Sequence, residues 1–308
     1  MTNVNFDDLK KNKINKNRIE KYIKYLDILS NSLNKIHKVN FESSYWEIII
    51  GPWLLFFISI TDTNLLCNKK NKQVNKLSLP SNSDLLKVPY DFASYINLTY
   101  QNNYFNNLEY FITDNKRQFS DDAFKLSIVK KNKLRIFLDL VIIKLSKVVL
   151  KYLSIAAVDT YLPLKQRIKI FLKSKFKIFP ISLYDIDILK NININFKIRE
   201  GILTKELKKI VIEDQLDRYL VKIIPYQIPY VYMEGRKGLI KKLPYSNKKL
   251  KVIYTSVGLF ENELFKLFCA HNRVNNGTKI IGSQHGGFPY GMADTPLVYL
   301  ERKIVDKY

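Results

Sequence analysis

One stretch, residues 250–287, constrains the fold more than any other. Leu250 to Tyr254 is a short apolar run ending in Thr255-Ser256, with Gly258 close behind. Glu261 to His271 has the spacing of a compact helix, and Lys279 to Gly282 is a second apolar run, ending in Ser283-Gln284-His285-Gly286-Gly287. Strand, helix and strand at this spacing make a βαβ unit, and such a unit feeds a parallel sheet through a right-handed crossover. In open α/β sheets, ligands bind outside the carboxyl ends of the strands. Both ends here are polar. A glycine pair after a histidine lets backbone N–H groups approach an anion. The histidine can donate to a phosphate or move a proton near neutral pH. His285-Gly286-Gly287 alone would also suit a plain turn. Its place at a strand end, followed by Tyr290-Gly291, favours ligand binding.

Upstream, Asn17 to Lys38 repeats apolar residues at helical spacing, and Trp46 to Ile60 is an apolar helix expected to break or bend at Gly51-Pro52. Asp91 to Tyr110 reads as loop plus helix. Ala123 to Ala157 reads as one or two amphipathic helices, and Lys175 to Pro180 alternates like a strand. The alternation of Ile192, Ile194, Phe196 and Ile198 predicts another strand, and Leu203 to Ile223 a helix. Pro225 to Pro244, with Gly235 and Gly238, is the expected domain boundary, giving an N-terminal part of residues 1–245 and a C-terminal part of residues 246–308.

Composition bears on partners. The 308 residues are 46% hydrophobic, enough for a sizeable core. Lys and Arg outnumber Asp and Glu by 51 to 28, so nucleic acid, an anionic membrane surface and phosphorylated substrates all fit the charge. From Lys130 to Lys177, thirteen cations face only Asp139 and Asp159. The interleaved aliphatic residues suit an anionic lipid surface, while a solvated basic face is the plainer use. No RNA-binding signature, zinc finger or helix-turn-helix is present, so no specific nucleic-acid partner is expected. Cys67 and Cys269 are far apart and lack zinc-ligand spacing, which suits a reducing cytoplasm. The N-terminus has no apolar signal core. Ile48 to Ile60 is too short to span a membrane, and Asp139, Lys144, Lys147 and Lys151 interrupt Ile136 to Val158, so no spanning segment is expected.

Several blocks resemble, in order, a family of transferases from bacterial surface-carbohydrate (capsule and O-antigen type) clusters. They are Leu33-Asn34-Lys35-Ile36-His37, Tyr45-Trp46-Glu47 to Leu54, Pro229-Tyr230-Val231-Tyr232-Met233-Glu234-Gly235, Ile253 to Ser256, Asn262 to Lys266, Gly282 to Gly287, and Glu301 to Tyr308. The resemblance implies an α/β, GT-B-like glycosyltransferase with two lobes. Residues 1–245 would form a helix-rich acceptor-side lobe, and 246–308 the beginning of a Rossmann-like lobe for the nucleotide-activated sugar. The family continues past Tyr308, so the chain is expected to be a truncated form, with an inert relic as one outcome. The implied partners are a nucleotide-activated sugar and a glycan or lipid-linked acceptor, in the cytoplasm or peripherally on the inner face of its membrane. No further cofactor is implied, and no metal, since no paired acids lie near the motif.

On this resemblance His285 is the catalytic or phosphate-contacting group, with Ser256, Ser283, Gln284, Gly286 and Gly287 on the donor. Glu47 is a candidate base, because an acid in an apolar helix is costly unless it is paired or faces a cleft; pairing with a nearby cation is the rival role. His37 and Asn34 share a helix face and, with Glu234, are candidates for the acceptor side of the cleft. The bland alternatives are a satisfied polar pair and a turn acid. A different class also fits the charge: a non-catalytic, basic α/β protein bound to membrane or nucleic acid.

Overall fold

A computed structural model describes residues 16–70, 86–101, 104–113, 123–125, 141, 144, 148, 152–160, 162–175, 177–181, 193–244, 250–283 and 295–308. Two long helices come first among the described residues. Helix α1 (Lys16–His37) buries Tyr22, Tyr25, Leu26, Leu29 and Leu33 on one side, the i, i+3/i+4 stripe of an amphipathic helix. Helix α2 (Ser43–Lys70) is apolar on nearly every side and packs against α1. It is long and apolar enough to cross a membrane, but 89% of that window is buried within the fold, as expected for a central core helix.

The helix expected to break or bend at Gly51-Pro52 does not break, and α2 runs through both residues. Packing on every side outweighs the lost backbone hydrogen bond. Gly51 has a local task, since a Cβ there would sit 2.8 Å from the Tyr22 hydroxyl. Gly51→Ala is therefore expected to cost about 1–3 kcal/mol despite the better helix propensity of alanine. Urea melts test this, and a Tyr22→Phe background, which removes the clashing oxygen, should restore most of the loss.

Helices α3 (Phe92–Thr99) and α4 (Tyr104–Thr113) follow. Strand β1 (Ile155–Val158) leads to helix α5 (Leu164–Lys173) and strand β2 (Ile178–Ile181). The amphipathic helix expected up to Ala157 thus ends before a strand: Val141, Lys144 and Val148 are helical, but Ile155–Val158 is paired on both sides. The strand expected after Asn191 is also corrected. Phe196–Ile198 is helical and passes into a π-turn at Arg199–Leu203 and a helical turn at Thr204–Leu207. Asn195 caps this segment by accepting from the Ile198 N–H, a local bond that overrides the alternating pattern. The helix expected from Leu203 to Ile223 is interrupted, and its main part is α6 (Gln215–Gln227), started by the Asp214 cap.

Helix α7 (Arg236–Lys242) precedes the βαβ unit read from sequence: β3 (Val252–Thr255), α8 (Glu263–Asn276) and β4 (Lys279–Gly282). Among the described residues all pairings are parallel, in the order β2-β1-β3-β4. After α9 (Pro296–Ile304) the chain returns beside β4, with Gly282 N–H donating to Lys307 O and Asp306 N–H to Ile280 O. Strands from both sides of residue 245 therefore share one sheet. The fold is α/β, with α2 packed on α1, α8 and α9.

Buried ion pairs join the helical layer. Arg18 contacts Asp62 at 2.7 Å, tying α1 to α2, and Lys21 contacts the fully buried Asp217 at 2.7 Å, tying α1 to α6. Inside the core Lys266 pairs with Glu263 at 2.8 Å, and Tyr232 Oη donates to Glu263 at 2.9 Å.

Candidate functional site

The sheet has a topological switch point. The β1–β2 crossover runs one way from the centre and the β3–β4 crossover the other, so right-handed connections put α5 and α8 on opposite faces. The crevice of such a sheet opens outside the carboxyl ends of the two central strands, β1 and β3. Here those ends carry Asp159 and Ser256.

Asp159 turns the chain off β1 in a left-handed conformation (φ 47°), which aspartate tolerates better than most residues. Its Oδ2 accepts from Asn262 Nδ2 at 2.9 Å, while Asn262 Oδ1 caps α8 by accepting from the Phe265 N–H. Gly258 passes between them. A Cβ there would lie 2.4 Å from the Phe265 ring and 3.0 Å from Asp159 Oδ2, so only glycine fits the approach. Thr255 Oγ1 accepts from the Gly258 N–H at 3.0 Å and fixes the turn.

Strand alternation sends Ile253 and Thr255 to the buried face and Tyr254 to the other. Tyr254 Oη donates to Ser283 Oγ at 2.9 Å, and the hydroxyls of Ser256 and Ser283 lie 2.9 Å apart. The strand ends expected to be neighbours are neighbours, because β3 and β4 pair in register from Val252–Lys279 to Thr255–Gly282. Three hydroxyls and one carboxylate thus line the carboxyl edge. Hydroxyls both donate and accept, which suits phosphate or sugar oxygens. Gln284, His285, Gly286 and Gly287 follow Ser283 in sequence and lie outside the described residues.

The remaining candidates serve the helical layer. Glu47 accepts from Tyr22 Oη at 2.9 Å and pairs with Lys303 at 2.8 Å, the structural-partner role weighed against catalysis. Burial, and then the Glu47 charge, push the Tyr22 phenol well above its ordinary pKa. Asn34 closes the α1–α2 turn. Its Oδ1 accepts from Trp46 Nε1 at 2.8 Å and from the Phe41 N–H, and its Nδ2 donates to Phe41 O. His37 stacks on Trp46 and donates from Nε2 to the Tyr232 carbonyl at 2.9 Å. Burial lowers its pKa to about 4. Both Glu234 oxygens are taken by Arg199, Nε to Oε1 at 2.8 Å and Nη2 to Oε2 at 2.7 Å.

His37 and Glu234 do share a cavity of about 650 Å³, with Asn193, Asn195 and Lys237 among its lining residues. It is set back from the crevice. His37 is joined through Trp46 and Arg236 to His271, and His271 lies about 12 Å along α8 from Glu263 at the usual rise of 1.5 Å per residue. In that cluster Arg236 Nη2 donates to Tyr45 Oη at 2.9 Å, and Tyr45 Oη lies 3.0 Å from His271 Nε2.

Sequence reasoning missed Asp159, Asn262 and Tyr254. Ser154-Ile-Ala-Ala-Val-Asp159 carries the signal of a short strand ending in an acid, hidden by the helical spacing before it. Tyr254 could have been placed beside Ser256 by the period of two.

Among the described residues no group of His, Cys, Asp and Glu is arranged to hold a metal ion. Neither curated proteins nor solved structures yield a match to the chain. Among protein families, however, the LIC12162 family transferase matches residues 1–308. A parallel sheet with a polar crevice at its switch point is a scaffold on which group transfer can be carried out, and the match over the full length of the sequence shows that the chain belongs to the LIC12162 family of transferases.

Proposed function

We propose that this transferase moves a glycosyl group from a nucleotide-activated sugar to a surface polysaccharide or lipid-linked glycan, with the donor at the carboxyl edge of β1, β3 and β4. The observation that carries this reading is the juxtaposition of Asp159, Ser256 and Ser283 at the switch point, with Tyr254 donating to Ser283. On this reading the sheet belongs to the nucleotide-sugar side of a GT-B-like enzyme and the helical layer to the acceptor side. The donor places the work in the cytoplasm.

In glycosyl transfer the bond from the anomeric carbon to the donor phosphate breaks as the acceptor oxygen attacks. Negative charge grows on the leaving phosphate, so donors aimed there stabilise the transition state. Ser256, Ser283, the Gly286-Gly287 backbone, Gln284 and His285 are assigned to that phosphate. We assign the acceptor proton to Asp159, which stands at the crevice with Asn262 donating to its Oδ2, rather than to Glu47, which pairs with Lys303 in the helical layer.

A thermal-shift screen of the full chain against nucleotides and nucleotide sugars, UDP- and CMP-linked ones included, tests the reading. One class is expected to stabilise the protein saturably, by about 2.7 kcal/mol at a hundredfold excess over Kd. Ser283→Ala and His285→Ala should weaken that shift, and His285→Ala should slow transfer by about 10²–10⁴-fold. A shift unchanged by both substitutions, or none from any donor, would overturn the assignment.

A further inference from the structure

The amino edge of the β1–β2 half of the sheet, opposite the crevice, carries an unusual surface. Register aligns Ile155 with Ile178, so Tyr152 and Lys175, each three residues before its strand, stand at the same edge. Tyr152 is 75% exposed. Val148, just upstream, is 58% exposed, and Leu172, in the last turn of α5, is 57% exposed. Around them Lys173, Lys175 and Lys177 are exposed. From Thr160 to Tyr184 the sequence contains no acid, and no described acid pairs with these lysines.

A crossover helix normally buries one side on its sheet. Yet on α5 the exposed positions cover a broad arc in which Lys165, Lys169 and Lys173 run between Leu172 on one flank and Ile170 on the other. Water explains the cations but not the aliphatics or the tyrosine. A nucleic acid would engage the cations through phosphates and has no use for projecting leucine and valine. An anionic bilayer surface accommodates all three. Lysine heads meet lipid phosphates while their stems lie along apolar surface, aliphatic tips enter the acyl boundary, and tyrosine favours the headgroup level.

We infer that this edge, centred on Val148, Tyr152, Leu172, Lys173, Lys175 and Lys177, docks the protein on an anionic phospholipid membrane. Docking at the amino edge leaves the carboxyl edge open to soluble ligands. The inference does not depend on the donor being a nucleotide sugar, since it rests on another edge of the molecule.

Flotation of the full chain with phosphatidylcholine vesicles, with and without phosphatidylglycerol, tests it. Binding is expected only when phosphatidylglycerol is present, and should weaken as salt rises. Leu172→Asp with Tyr152→Ser should reduce binding about tenfold by removing apolar insertion, and Lys173→Glu with Lys175→Glu should reduce it at least as far. All four positions are exposed, and matching melting curves will show that the fold is intact. Equal binding to neutral vesicles, or none to either, overturns the inference. So does binding to duplex DNA or RNA that outcompetes the vesicles and ignores Leu172→Asp, which would identify nucleic acid as the occupant.

Discussion

Glu234→Ala is expected to destabilise the protein by about 3–5 kcal/mol, the usual cost of stripping one partner from a buried ion pair. The Arg199 side chain is fully buried, and Glu234 matches it with two parallel bonds at 2.8 and 2.7 Å. The third guanidinium nitrogen donates to the carbonyls of Pro225 and Ile228, and Glu234 also accepts from the Asn195 N–H. One residue pair therefore pins the 195–203 turn, the end of α6 and the segment before α7 together. Without the carboxylate, the Arg199 guanidinium loses the counter-ion that matches its charge. Urea unfolding measures the loss. Glu234→Gln, which keeps one acceptor, should fall between alanine and the parent. Replacing both partners with apolar residues of similar volume should recover much of the stability, because the cost comes from the unpaired charge rather than from the space. If Glu234 instead held a sugar, alanine would weaken ligand binding while leaving the melting curve in place.

Mild acid is expected to weaken the fold by about 1.4 kcal/mol per pH unit for each buried histidine between their unfolded and folded pKa values. Burial, helped by the nearby Arg236 charge, holds both His37 and His271 at about 4 against an ordinary value of 6.5. Above pH 6.5 both are neutral whether folded or not, and stability does not depend on them. Between 6.5 and 4 the unfolded chain takes up their protons and the native state does not, so stability falls. At pH 5 the loss is about 2 kcal/mol per histidine. The structural cause is visible at His271. Its unprotonated Nε2 can accept from Tyr45 Oη, which itself accepts from Arg236, and protonation would set a second cation against the guanidinium. Glu263, whose pKa is raised chiefly by burial, acts with opposite sign and offsets part of the loss. Asp217 and Asp306, whose pKa values are lowered, give up their contribution only below the ordinary carboxylate range. Urea melts at pH 7 and pH 5 test this, and His271→Gln should flatten the dependence by about half. A flat profile in the parent would mean that both rings take up protons in the folded state.

Short-range pattern was legible in the residues themselves. The stripe from Tyr22 to Leu33 defined α1, and the apolar runs flanking Glu263–Asn276 defined β3, α8 and β4, although the helix expected to end at His271 continues to Asn276. From that unit alone the neighbouring strand ends, Ser256 and Ser283 among them, could be placed. The remaining features depend on long-range contacts. Ile155–Val158 is too short and too mildly patterned to declare itself a strand, and becomes one because β2 and β3 pair on either side; only then does Asp159 arrive at the switch point. Glu47, His37 and Glu234 looked available because their partners are distant in sequence: Lys303 for the first, the Tyr232 carbonyl for the second, Arg199 for the third. Local spacing determines where a helix or strand forms, but whether a polar side chain is free for chemistry depends on long-range packing, which desolvates it and supplies a partner.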